Sequence, residues 1–166
     1  MAVTENIIHP IPPLYDQNSV TLILGSFPSV KSREANFFYG HPQNRFWKLM
    51  ARLYREEIPA TIEEKKSLIL RHHLALWDTI HSCTITGSSD SSIKDVVPND
   101  LTPMLSNSKI TTIYCNGAAS HRLYQQYIFP KTGIAAIKLP STSPANAAFW
   151  MDRLEDMWRI LLNNTA

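Results

Sequence analysis

The run Val20-Thr21-Leu22-Ile23-Leu24 constrains this chain more than any other stretch. It is apolar without polar alternation, so a strand built from it must be covered on both faces. That is the position of a strand in a parallel sheet lying between helices. Gly25 and Pro28 end the run abruptly. From Arg45 onward the period changes. Phe46, Leu49, Met50, Leu53 and Tyr54 recur at i, i+3, i+4, i+7 and i+8, the spacing of one helix face. The chain therefore reads strand, polar loop, helix, and the loop carries Ser26, Tyr39, His41, Gln43 and Asn44. Ligands of open α/β sheets sit in the crevice at the carboxyl ends of the strands, so this loop hangs over the expected site.

Three further runs repeat the pattern of apolar strand and polar break. Leu74–Trp77 is followed by Asp78, Ile110–Cys115 by Asn116-Gly117, and Ile134–Leu139 by Pro140. Helical segments separate them. Thr61-Ile62-Glu63-Glu64 is a capping box opening a helix to about Arg71, and its Glu63–Lys66 run reads as a solvated face. Asp100 is placed to cap a brief helix through Leu105, with Pro103 tolerated in the first turn. Leu123, Tyr124, Tyr127 and Ile128 mark another helix. The last helix is expected to start with Ser143 as N-cap and Pro144 in its first turn, burying Trp150, Leu154, Met157, Trp158 and Leu161. Met1 to Asn18, with Pro10, Pro12 and Pro13, reads as an extended lead-in, where His9 and Tyr15 fit surface packing better than cleft lining. Thr86–Ser92 reads as a short polar loop. With no repeat or linker, the expectation is a single domain over residues 1–166. Its fold class is α/β, a three-layer α/β/α sandwich with a central four-stranded parallel sheet.

Composition removes several classes. At 166 residues, 44% hydrophobic and 18% charged, the chain is that of an ordinary globular protein. Its net charge of +2 is too small to indicate nucleic-acid binding by bulk charge, so any such face must rely on local hydroxyls and amides. No apolar run reaches the roughly 20 residues of a membrane helix. The start of the sequence lacks the basic and apolar regions of a secretory leader, and the expected location is intracellular, in the cytoplasm. Cys83 and Cys115 are too few for a cysteine-only zinc or iron–sulfur site, and neither a metal nor an organic cofactor is expected.

The strand ends carry Gly25-Ser26-Phe27-Pro28, Asp78, Asn116-Gly117 and Pro140-Ser141-Thr142-Ser143. Dinucleotide-binding, phosphate-loop and serine-hydrolase signatures are all missing. What is present is amides, hydroxyls, aromatic rings and one carboxylate. Such a set suits a planar heterocycle, stacked on rings and read at its edges by hydrogen bonds. Hydroxyls and amides before the last helix suit a phosphate.

These motifs, in this order, resemble the uracil-DNA glycosylase superfamily over nearly the whole chain. Gly25-Ser26-Phe27-Pro28-Ser29 looks like its first motif, and Leu139-Pro140-Ser141-Thr142-Ser143-Pro144-Ala145-Asn146 like its second. Tyr39-Gly40-His41-Pro42-Gln43-Asn44-Arg45-Phe46-Trp47, Leu76-Trp77-Asp78 and Gly87-Ser88-Ser89-Asp90-Ser91 are most similar to the hypoxanthine-DNA (deoxyinosine) glycosylase branch. The resemblance implies a monomeric, monofunctional glycosylase that removes a flipped, deaminated base from DNA. Uracil or mismatched thymine is the alternative substrate, and a non-catalytic damaged-base or nucleotide-binding domain the alternative class. A flavodoxin-type nucleotide binder is disfavoured by the missing phosphate loop.

Many relatives carry Asn or Asp inside the first motif to handle water. Here that segment is Ser-Phe-Pro, and the resemblance moves the catalytic role to Asn44, against the plainer reading of a helix cap. The base pocket is implied at Gly25, Ser26, Phe27, Pro28, Tyr39, His41, Asp78 and Asn116. Asp78 accepts from the base and Phe27 stacks on it. Each also has an ordinary alternative as a turn, packing or structural residue. Ser141, Thr142, Ser143, Pro144, Ala145 and Asn146 are implied as the DNA-binding segment, gripping phosphates and presenting a minor-groove wedge.

Overall fold

The computed structural model describes residues 2–164. In chain order it runs β1 (Thr4–Ile8), β2 (Thr21–Gly25), α1 (Val30–Ala35), α2 (Phe46–Tyr54), α3 (Ile62–Arg71), β3 (Leu74–Asp78) and β4 (Ile80–Thr86). A 3-10 turn at Asp90–Ser92 leads to β5 (Lys94–Pro98), α4 (Thr102–Ser106), β6 (Thr112–Asn116), α5 (Ala118–Tyr127), α6 (Phe129–Thr132), β7 (Ala136–Leu139) and α7 (Met151–Trp158), then a 3-10 segment, Arg159–Asn164.

The main sheet is parallel and four-stranded, in the order β3-β2-β6-β7. Alternation along its strands separates two cores. Ile23, Leu74, Leu76 and Tyr114 point to one face, where α2, α3 and α7 pack through Phe46, Leu49, Met50, Leu68, Leu154 and Trp158. Leu22, Leu24, Ala75, Ile113 and Cys115 point to the other, under Met104 of α4 and Tyr124 of α5. All of β2 is buried, as expected of a strand covered on both sides. The fold is α/β, with a four-stranded parallel sheet between helical layers.

Helix starts follow local chemistry. Thr61 accepts from the Glu64 amide while the Glu64 carboxylate accepts from the Thr61 amide, completing the capping box. Asp100 Oδ1 accepts from the Thr102 amide at the entry to α4.

The lead-in is not simply extended coil: β1 is an edge strand of a second, antiparallel sheet ordered β1-β4-β5 (Met1 lies outside the described residues). The polar loop beginning at Thr86 is the connection between β4 and β5 of that sheet. The last helix is also shorter than expected. Residues 140–149 form turns, Trp150 is the N-cap in place of Ser143, and Trp150 and Met157 are 66% and 51% exposed, leaving Leu154, Trp158 and Leu161 inside. Two effects hold this segment out of helix. The Ser143 and Ala145 amides bond to the hydroxyls of Ser141 and Ser143, a local competitor of helix formation. The carbonyls of Thr142, Ser143, Asn146 and Phe149 are taken by Arg45.

Candidate active site

Gly25 and Asp78 stand side by side at the carboxyl ends of β2 and β3, and Asn116 is in register with Leu139. The chain leaves β2 for β3 on one side and returns to β6 on the other, which makes β2/β6 the switch point of the sheet. A cleft of about 320 Å³ opens there. Gly25, Ser26, Phe27, Pro28, Tyr39, His41, Asn44, Asp78, Asn116, Ser141, Thr142, Ser143, Pro144 and Ala145 all line it. Of the expected site residues only Asn146 stays outside the lining; its amide is turned back to the Ser141 carbonyl.

The floor is a fixed carboxylate. Asp78 is 5% exposed, and its Oδ2 lies 2.7 Å from His9 Nε2. His9 Nδ1 accepts the Ile11 amide, so Nε2 carries the proton and donates to Asp78. Asp78 Oδ1 leans over Gly25 so closely that any Cβ there would overlap it. Glycine is required at 25 for that reason, not for its backbone angles. Phe27 packs edge-on to His9, with ring centroids 5.7 Å apart.

Tyr39 closes the floor from the other side. Its backbone is left-handed at φ 54°, and its ring stacks on Phe46 at 4.0 Å. Among the described residues its buried Oη has no hydrogen-bond partner. The Asn116 amide lies near it but makes its hydrogen bonds to Thr142. Burial, and after it the Asp78 charge, push the phenol pKa well above its ordinary range, so Tyr39 keeps its proton.

One wall is a directed chain of hydrogen bonds. Asn116 Nδ2 donates to Thr142 Oγ1, and the Thr142 hydroxyl donates to Asn44 Oδ1 at 2.9 Å. The same Oδ1 accepts the Phe46 amide at 3.0 Å. The N-cap of α2 is Arg45, without a side-chain cap, so Asn44 is not the cap itself; from one position earlier it accepts the Phe46 amide, and its NH2 group makes no hydrogen bond among the described residues. Thr142 is fully buried and spends its hydroxyl inward, which corrects the expectation that it grips phosphate. Ser141 and Ser143 accept backbone amides at Oγ, so their O–H groups stay available as donors. The His41 Nδ1 is occupied by the Gln43 amide.

Arg45 and Asp90 belong to the site without a sequence signal of their own, and the His9 side chain, expected at the surface, is buried in the floor. Arg45 donates to the carbonyls of Thr142, Ser143, Asn146 and Phe149, fastening the second-motif loop to the Asn44 loop. Asp90 lines the cleft and its Oδ1 accepts the Ser26 hydroxyl at 2.8 Å. The resemblance singled out the segment around Asp90 but gave that residue no role.

Known proteins resemble this chain in sequence and fold. The sequence model described as the uracil DNA glycosylase superfamily matches residues 12–162. A hypoxanthine DNA glycosylase of Methanosarcina acetivorans is 31% identical over 154 residues, 92% of this chain and 96% of that protein. A hypoxanthine DNA glycosylase of Methanosarcina barkeri is 34% identical over 85 residues, 51% of this chain and 54% of its own length. A solution NMR structure of a provisionally named uracil DNA glycosylase from Methanosarcina acetivorans superposes with a TM-score of 0.77. It is 30% identical and matches over 93% of this chain and 99% of that one. With its parallel sheet, its cleft at the switch point and these relatives, the chain belongs to the uracil DNA glycosylase superfamily and is a DNA glycosylase.

Proposed function

We propose that the enzyme removes hypoxanthine from deoxyinosine in DNA, hydrolysing the N-glycosidic bond of a flipped nucleotide and leaving an abasic site. The observation that carries this reading is the pairing of Asp78 Oδ1 and Tyr39 Oη over Gly25, an acceptor beside a buried donor that has no partner among the described residues. Hypoxanthine presents N1–H and O6 side by side, a donor and an acceptor that complement this pair. Adenine presents the reverse, a bare N1 beside an amino group, so its N1 would face the Asp78 carboxylate acceptor to acceptor. Deamination therefore converts a rejected edge into an accepted one. Buried polar groups left unpaired by the wrong base make such discrimination steep.

The Ser141 and Ser143 hydroxyls would hold phosphate, with Ala145 at the exposed tip facing the minor groove. Asn44 would hold the water with its NH2 group. No lysine lines the cleft among the described residues, which supports hydrolysis without a lyase step. The enzyme acts as a monomer in the cytoplasm on this reading.

Uracil shares the same edge at N3–H and O4 and is the second reading. Oligonucleotides carrying deoxyinosine, deoxyuridine, mismatched thymine or only normal bases, incubated with enzyme and then alkali, decide between them. Strand breaks at deoxyinosine and none at deoxyadenosine are expected. Tight binding with no alkali-labile product from any of them would show a binding domain instead.

A further inference from the structure

We infer that Asp90, not Asn44, accepts the proton of the attacking water. The inference rests on the glycosylase reading above and concerns the same cleft.

A water that attacks C1′ needs a lone pair directed at carbon and a hydrogen bond accepted by something else. Asn44 cannot be that acceptor. Its Oδ1 already receives the Thr142 hydroxyl and the Phe46 amide, and the amide assignment is fixed because a backbone N–H demands an oxygen opposite it. What Asn44 offers the cleft is a donor. Two carboxylates line the cleft among the described residues, Asp78 and Asp90. Asp78 has one oxygen committed to His9 and the other placed over Gly25 at the floor. Asp90 has Oδ1 on Ser26 and Oδ2 without a partner among the described residues. The tether is informative. Ser26 belongs to the first motif, whose expected Asn or Asp is replaced here by Ser-Phe-Pro. Through its hydroxyl, Ser26 draws in a carboxylate from the 3-10 turn between β4 and β5. Ser26 thus couples the loop after β2 to the turn that carries Asp90.

The surroundings suit a base. Asp90 is an exposed residue at the rim of the cleft, and partial desolvation there raises its pKa above the ordinary carboxylate range, with the Ser26 hydroxyl opposing the rise. The charged and titratable groups facing it are Asp78, Arg122 and the Cys83 thiol.

In the reaction, the C1′–N9 bond breaks and its electron pair leaves with hypoxanthine. The water oxygen forms the new bond to C1′, and its proton passes to Asp90 Oδ2. Asp90 then returns that proton to solvent and the purine anion takes one up, so the products are the abasic sugar and neutral hypoxanthine. A positioned base of this kind contributes roughly 10²–10⁴-fold.

The test is single-turnover excision from a deoxyinosine duplex at saturating enzyme, comparing wild type with Asp90→Asn and Asp90→Ala. Asparagine keeps the acceptor for Ser26 and removes the base. Excision by D90N is expected to fall by about a hundredfold or more, with unchanged melting temperature and duplex affinity no weaker than wild type. The rise of the wild-type rate with pH should vanish with it. Sodium formate added to D90A should restore part of the rate, an effect that a purely structural carboxylate would not produce. Near-normal excision by D90N, or a folded D90A that formate does not revive, overturns the assignment. Wild-type enzyme that leaves deoxyinosine, deoxyuridine and mismatched thymine all intact would instead remove the glycosylase reading beneath it.

Discussion

Asp78 is useful to a base reader only if its free oxygen stays where Gly25 leaves room for it, and His9 is what keeps it there. The imidazole is locked at both ends, Nδ1 on the Ile11 amide and Nε2 on Asp78 Oδ2. Removing it leaves a buried carboxylate without its donor, a loss of about 1.5–3 kcal/mol for a hydrogen bond to a charged group. His9→Ala is therefore expected to slow deoxyinosine excision by roughly ten- to a hundredfold, since 1.4 kcal/mol is a factor of ten. His9→Gln, which carries an N–H donor of comparable reach, should recover part of it. Excision rates for both variants, read beside their melting temperatures, check this. An H9A enzyme that excises normally would assign His9 to packing alone. This residue also shows why a sequence resists reading at single positions. A lone histidine among prolines has no period and no motif, and only the pairing of β1 with β4 brings it within 2.7 Å of a residue 69 positions away.

At the scale of elements, the second-motif loop is held by one side chain. Arg45 follows Asn44 directly, so its grip on the carbonyls from Thr142 to Phe149 couples the two walls of the cleft. A planar guanidinium can serve several acceptors at fixed angles, and an ammonium cannot. Arg45→Lys should weaken binding to damaged and undamaged duplexes alike and make residues 143–149 cleavable by protease. Titration of both duplexes, with limited proteolysis, measures it; intact affinity together with intact resistance would refute the coupling. The same contacts explain which elements were legible. The strands of the main sheet and the amphipathic stripe of α2 announce themselves because burial dictates their residues. The small sheet does not. β1 is exposed along nearly its whole length, and side-chain bonds such as Thr4–Thr86 and Asn6–Thr84 tie it to β4. Such pairing leaves almost no apolar period, and the strands that deliver His9 and Asp90 stayed hidden. The turns before α7 were missed for a related reason: caps and helix formers suggested a helix, but a distant arginine claimed its carbonyls.

For the molecule as a whole, the polar contacts of the cleft are long in sequence. Ser26 and Asp90 are 64 residues apart, His9 and Asp78 69, and Asn44 and Thr142 98. Parallel strands add to this, since each pairing requires a crossover before any of its bonds form. Contacts so distant form only after the loop-closure entropy of the intervening chain has been overcome. The catalytic wall therefore arises with the closing of the sheet, not ahead of it. The Thr142 amide, bonded to Asn116 Oδ1, should exchange its hydrogen only through global unfolding, and excision activity should disappear on heating in the same transition as the sheet. A Thr142 amide that exchanges much faster than those of β2 would contradict this. On a ribosome, a nascent chain whose Thr142 has not yet emerged holds the first motif, Asn44 and Asp78 but no finished cleft, so DNA meets an enzyme only once synthesis has passed the last strand.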